Sequence, residues 1–281
     1  MKFGLSVPNI GALASVQKIL TVATDAEASG WDGVFLWDSL AGFPAGSNPP
    51  TCDPWIALGA IAISTERVRI GTMITPVARR RPWKLARETV TLDRLSNGRL
   101  TLGVGLGNPS DDFSLFGEDA EDRTRAAKLD EGLEILVGLW SAQPFSFQGE
   151  HFKVLETQFR PPPAQQPCIP IWVGGQWPNK GPFRRAARFE GVYPVKAEGS
   201  QVLSTDEVRA AIEYTRSHRD TDADFDVVLA GKADKQGRQE RGPALREYAA
   251  AGATWWLTEL GGMLSDVDAM RAYVRAGPPT V

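Results

Sequence analysis

Two short stretches hold glycine at positions where bare backbone could serve a ligand. IWVGGQW, residues 171–177, ends an apolar run on Gly174 and Gly175, with Gln176 next and a proline-opened helix expected near Pro182. Amides freed by glycine, together with a helix start, would present donors and a positive dipole end to a phosphate. The same pair would serve a strand-to-helix turn that needs a positive φ, for which glycine is the default. LTLGVGLGNP, residues 100–109, repeats glycine at Gly103, Gly105 and Gly107. That spacing lets a planar ligand lie against a strand end, or lets a barrel corner bend. It is not a dinucleotide fingerprint, because no helix opens at the third glycine.

Acid–base and metal chemistry are thinly provided for. The chain has two histidines, His151 in a turn-like segment and His218 near a helix end, and neither sits where a reacting proton would be. No Glu-x-x-His or His-x-His spacing occurs, and Asp111, Asp112, Glu118 and Asp119 fall in a polar stretch where solvated carboxylates are expected. The run Arg79-Arg80-Arg81 lacks interleaved aromatics and reads as a solvated loop near an anionic cofactor tail rather than a nucleic-acid patch. With so few reactive side chains, a cofactor is expected to bring the reactivity and the protein to supply orientation and dryness.

The elements that must position these groups alternate. Runs rich in Val, Ile, Leu, Phe and Trp occur at 3–7, 33–37, 68–74, 100–105, 169–173, 191–195, 226–230 and 253–257. Most are continuously apolar, as strands covered on both faces are. Between them lie helices with start and stop signals: Ser15 to Gly30, a second opening at Asp53-Pro54, and Pro82 to Gly98 with Leu85, Thr89, Leu92 and Leu95 inward. Leu129, Leu133, Leu136, Val137 and Trp140 form one apolar face; Ser204 with Glu207 makes a capping box; Ser265 starts a last helix. Eight strand–helix units at this spacing predict an α/β fold, a (β/α)8 TIM barrel, as a single domain over 1–281. The long gap between the fourth and fifth strands holds an inserted hairpin, Phe145 and Phe147 facing Phe152 and Val154 across Gly149-Glu150. Reactive groups of such barrels sit at the carboxyl ends of strands. Here those ends are Pro8-Asn9, Asp38-Ser39, Thr72 to Thr75, Gly105 to Asn108, Gly174 to Gln176, Val195-Lys196, Gly231-Lys232 and Thr258-Glu259.

Composition narrows the partners. The net charge of −3 and the lack of a block of like charges argue against nucleic acid or a membrane surface and for a small-molecule substrate. Two cysteines, Cys52 and Cys168, fit a reducing compartment, and no apolar run approaches ~20 residues, so a soluble, cytoplasmic protein is expected.

Taken together, MKFGLSVPN, GWDGVFLWDS, TERVRIGTMITPVARRRPWKLARETVTLDRLSNGRLTLGVGLG, RAAKLDEGLEIL and IPIWVGGQWPNKGPFRRAARFEGVYP resemble the bacterial luciferase-like family of flavin-dependent oxidoreductases. The resemblance covers most of residues 1–195. It implies a (β/α)8 barrel, as a homodimer or higher homo-oligomer, with FMN or the deazaflavin coenzyme F-420 at the carboxyl ends of its strands and no metal. It implies a phosphate-binding role for Gly174, Gly175 and Gln176, a bulge or cis peptide against the flavin ring at Met73-Ile74, and ring-edge contacts at Gly105, Gly107 and Asn108. Pro8, Asp38 and Thr72 complete the expected cofactor set. Many relatives have His where this chain has Ser39, and deazaflavin-using members often have Glu where it has Asn108, so these two residues are the expected catalytic polar contacts. The first expectation is a monooxygenase using oxygen and reduced FMN from a separate flavin reductase, closed by a lid over residues 108–122. The alternatives are a deazaflavin-dependent dehydrogenase or reductase, with Arg79, Arg80, Arg184 and Arg185 near the cofactor's anionic tail, and a non-catalytic flavin-binding barrel.

Overall fold

A computed structural model describes residues 1–41, 48–196, 202–233, 242–263 and 266–280. Eight parallel strands close into a barrel: β1 (Lys2–Val7), β2 (Gly33–Leu36), β3 (Arg69–Pro76), β4 (Leu100–Gly105), β7 (Ile171–Trp177), β8 (Gly191–Lys196), β9 (Asp226–Lys232) and β10 (Trp255–Glu259). Each neighbours its sequence successor, and β10 closes on β1 through Lys2↔Trp255 to Ser6↔Glu259. The expected (β/α)8 barrel is therefore present. The expected hairpin is present too, as β5 (Phe145–Gln148) and β6 (Lys153–Thr157), paired at Phe147↔Val154; a register shift sets Phe145 opposite Thr157 rather than Phe152, which precedes β6.

Helices α1 (Val16–Ala28), α2 (Pro54–Ser64), α3 (Pro82–Leu95), α5 (Asp122–Trp140), α6 (Lys180–Ala186), α7 (Thr205–Arg216), α8 (Gly242–Ala250) and α9 (Val267–Arg275) surround it. Local signals explain their ends. Asp53 accepts the Ile56 amide at 2.9 Å with Pro54 in the first turn, Gly30 and Gly98 take φ of +88° and +79° after α1 and α3, and Ser204 with Glu207 closes both bonds of a capping box. Ser265, expected to start the last helix, lies outside the described residues; Asp266 caps α9 by accepting the Ala269 amide at 2.9 Å. Leu95 and Val137, expected on buried faces, are exposed at the rims of α3 and α5, where the apolar stripe is narrower than the sequence period alone implies.

Inside the barrel, Phe35, Trp172 and Trp255 pack ring against ring, with centroids 5.0, 5.9 and 5.3 Å apart. This plug fills the interior below the mouth, so the mouth is a shallow basin rather than a pore. Trp256 points the other way, toward Tyr248 of α8, so the Trp255-Trp256 pair splits between interior and helix layer as its strand parity demands. Among the described residues no helix is long and apolar enough to cross a membrane.

Candidate active site

The carboxyl ends of the strands enclose a cavity of about 630 Å3, within the usual range for a small-molecule or cofactor site. Its wall begins with an irregularity. The β3–β4 register runs to Thr72↔Leu102 and resumes at Thr75↔Val104, so Met73 and Ile74 bulge out of the ladder, joined by a cis peptide. Met73 enters the interior cluster with Phe35 and Trp172, while Ile74 stands half-buried on the cavity wall. The glycines of β4 accommodate this bulge. A Cβ on Gly103 would lie 2.2 Å from the Thr72 carbonyl oxygen, and one on Gly105 would lie 2.7 Å from Ile74 Cδ1. Of the two readings of that glycine series, close packing within the protein accounts for Gly103; Gly105 also borders the cavity.

A buried ion-pair network fixes the next segment. Asp38, just after β2, has a fully buried side chain. Its carboxylate accepts from Arg79 at 2.6 Å, from Arg80 at 2.8 Å, from Thr75 Oγ1 at 2.8 Å and from Trp55 Nε1 at 3.1 Å. Arg79 also donates to Asp112, whose other oxygen accepts the Asn108 amide at 2.8 Å. The expected solvated loop at 79–81 is therefore corrected for Arg79 and Arg80, whose charge is consumed by Asp38 and Asp112. Asp111 and Asp112 are likewise buried rather than solvated. Burial pushes the Asp112 carboxyl up from its ordinary range, and the Arg79 guanidinium opposes that.

Asn108 is the N-cap of the short helix α4 (Pro109–Asp112), its side-chain oxygen accepting the Ser110 and Asp111 amides at 2.9 and 3.4 Å. It borders the cavity with that oxygen already engaged. Arg125 of α5, nearly fully buried, donates to the carbonyls of Leu106, Gly107 and Ala120, tying the β4 loop to the helix layer. Ser39 is held through its backbone by the Asn9 side chain and borders the cavity. Gly174 and Gly175 correct the expected turn. Both lie within β7, opposite Tyr193 and Pro194, and neither has a positive φ; in this part of the mouth that conformation belongs to Gly107, at +76°. Gly175 is required because a Cβ there would lie 2.2 Å from Pro182 Cβ, so it lets α6 seat against the strand. Arg185 is not available to an anion either, since it pairs with Asp130 at 2.7 Å. Arg184 is exposed on α6 and does not border the cavity.

The structure thus gathers Asp38, Ser39, Met73, Ile74, Gly105, Gly107, Asn108, Gly174, Gly175 and Gln176 around one cavity. Pro8 and Thr72 are buried behind it, Thr72 standing 2.9 Å from Thr75 Oγ1 in support of the Asp38 network. Tyr193, Trp37 and Ser6, which the sequence did not single out, also line it, as does Glu259, which the sequence marked only as a strand end. Strand parity points Glu259 inward, two residues beyond the inward Leu257 and four beyond Trp255. Burial pushes its carboxyl up, with Lys232 opposing, and burial with the Glu259 charge pushes the Tyr193 phenol up. His151 and His218 lie away from the cavity.

Comparisons agree with this geometry. The family model described as luciferase-like monooxygenase matches residues 1–233. An F420-dependent glucose-6-phosphate dehydrogenase of Microbacterium testaceum is 31% identical over 219 residues, 76% of this chain and 63% of the relative. Its namesake in Nakamurella multipartita is 30% identical over 197 residues, 69% of this chain and 56% of the relative. The chain thus spans about three fifths of the length of these curated relatives. Among solved structures, monooxygenase RslO1 from Streptomyces bottropensis superposes with a TM-score of 0.69 at 25% identity, over 89% of this chain and 78% of that one. An F420-dependent secondary alcohol dehydrogenase shares the fold at a TM-score of 0.81 and 17% identity, over 99% and 98% of the two chains. With its eight-stranded barrel, the bulge at Met73-Ile74 and a family match over most of its length, this chain belongs to the luciferase-like monooxygenase family.

Proposed function

We propose that this chain is a flavin-type oxidoreductase whose cofactor is a deazaflavin and whose reaction is a dehydrogenation or its reverse. The observation that carries the reading is the cavity wall of Met73, Ile74, Gly105 and Gly174: an apolar ledge beside backbone bare of side chains, at the carboxyl ends of the strands. Such a ledge fits a flat ring, and the neutral polar groups Gln176 and Asn179 at the rim fit a hydroxylated, phosphate-bearing tail. Two relatives at 30 and 31% identity, matched over 69% and 76% of this chain, are named as F420-dependent glucose-6-phosphate dehydrogenases; they reverse the order expected from sequence alone and put the deazaflavin first. When bound, a deazaflavin supplies a two-electron hydride acceptor or donor.

The chain's own residues do the rest. Ile74 and Met73 would support one face of the ring, Gly105, Gly107 and Asn108 would line its edge, and Gly174 to Gln176 would hold the tail. The ring of bonds through Asp38, Arg79 and Asp112 holds the loops carrying Ser39 and Asn108 at a fixed separation. Ser39 offers a hydroxyl to the reacting groups. Residues 108–122, of which Asn108, Pro109, Asp112 and Asp122 border the cavity, shield it from water. An FMN-dependent monooxygenase is the second reading, favoured by the match to RslO1 over 89% of the chain, and it would need a separate reductase to supply reduced flavin.

Fluorescence titration of the full chain with the deazaflavin and with FMN separates the readings. Gln176→Glu, on an exposed residue of the rim, is expected to weaken the bound cofactor about tenfold by repelling its phosphate. A charge at Gly175 would instead disturb packing, because a Cβ there meets Pro182 at 2.2 Å. Binding of neither cofactor would overturn the function, and a Gln176→Glu protein that binds as wild type would overturn the placing of the tail.

The same reading extends to assembly. Helix α2 is apolar on every face: Ile56 and Ile63 are 69% and 71% exposed, with half-exposed Gly59 and Ala60 between them at i, i+3, i+4 and i+7. A helix apolar all round is normally buried, so this stripe supports a homodimer. Ile63→Lys is expected to shift the sedimentation mass from dimer to monomer, and a wild type that sediments as a monomer at micromolar concentration would refute the assembly.

A further inference from the structure

The floor of the cavity holds two polar groups that the fold does not use. Glu259 ends β10, beside Ser6 of β1 and Lys232 of β9 in the strand register, and Tyr193 lies on β8; all but Lys232 border the same cavity. The other buried acids of the mouth are satisfied. Asp38 takes bonds from Arg79, Arg80, Thr75 and Trp55, and Asp112 takes them from Arg79 and the Asn108 amide. Ser6 Oγ accepts from Trp37 Nε1 at 2.9 Å. The Glu259 carboxylate and the Tyr193 hydroxyl take part in no hydrogen bond with the described residues; Lys232 acts on Glu259 only as a neighbouring charge. Both residues are half-buried; partial withdrawal of a carboxylate from water without a hydrogen-bond donor is costly, and such groups in clefts are where a ligand completes the bonding.

We infer that Glu259 and Tyr193 together bind a hydroxyl group of the substrate, the carboxylate accepting from it and the phenol donating to its oxygen. The chemistry of the pair selects that group. A hydroxyl is at once donor and acceptor, whereas an ether or ketone offers Glu259 no hydrogen and an ammonium leaves the phenol hydrogen unused. The two groups approach from strands β8 and β10, across the cavity from the loops of Ser39 and Asn108. A substrate alcohol so held lies between the polar floor and the ledge of Met73 and Ile74. The inference rests on the proposed deazaflavin dehydrogenase, since it identifies the substrate class of that same cavity.

The test is a ligand-observed NMR titration of the full chain, saturated with deazaflavin, using cyclohexanol and methoxycyclohexane as probes. Wild type is expected to bind the alcohol at least about tenfold more tightly than the ether, as a hydrogen bond to a charged group implies. Glu259→Met and Tyr193→Phe are each expected to bring that ratio close to one while cofactor affinity stays within about twofold. Tyr193→Phe removes a single oxygen and keeps the test open if Glu259→Met folds poorly. Equal binding of the two probes by wild type, or a ratio that survives both substitutions, would overturn the hydroxyl site and leave the cofactor reading standing. A wild type that binds no deazaflavin would overturn both.

Discussion

Arg79→Met is expected to lower the melting temperature by roughly 10 °C. Arg79 is 3% exposed and bridges two buried carboxylates, Asp38 and Asp112, from different loops. Removing one partner of a buried ion pair leaves uncompensated charge, which costs about 3–5 kcal/mol. In a domain of this size each kcal/mol moves the midpoint by about 2–4 °C. Arg80 still reaches Asp38, so the damage centres on Asp112. Adding Asp112→Asn to Arg79→Met should therefore recover part of the loss, a coupling that two independent sites would lack. Calorimetric scans of wild type, both single variants and the double variant measure it; a fall below about 3 °C, or strict additivity, would mean that the network does not hold the two loops.

Gly103→Ala should damage stability and cofactor binding together. The added methyl would fall 2.2 Å from the Thr72 carbonyl oxygen and 3.1 Å from Met73 Sδ. The first neighbour is backbone and cannot swing aside, so the β3 bulge must shift or the β3–β4 ladder must open. Overpacking of this kind costs about 1–3 kcal/mol. Because the bulge carries the ledge for the ring, we expect at least about a tenfold loss of deazaflavin affinity beside a melting temperature several degrees lower. Gly181→Ala is the control: a Cβ there meets nothing within 4 Å, and a helix gains slightly from the change. If Gly103→Ala melts and binds like the Gly181→Ala control, the tight β3–β4 contact is not what shapes the site.

Much of the fold was legible because strand and helix periods are local. All eight barrel strands and the hairpin were visible as apolar runs between turn signals, and the caps at Asp53 and Ser204 were readable from two or three residues each. The location of the site followed from the fold, since barrels of this kind place their chemistry at the carboxyl ends of strands.

What the sequence by itself determined, then, was the order of the elements, the end of the barrel that carries the cavity, and most of the residues around it. Which of those residues are free to act was decided only by the tertiary structure, because that depends on partners distant along the chain. Asp38, Arg79 and Asp112 look equally available in sequence; folding spends them on one another across separations of 41 and 33 residues. Gly175 looks like a turn until Pro182 is seen packed against it, and Asn108 looks like a catalytic amide until its oxygen is found capping α4. Glu259 shows the converse: an unremarkable acid at a strand end becomes a carboxylate lining the cavity, because barrel closure brings β10 against β1, and among the described residues it accepts no hydrogen bond.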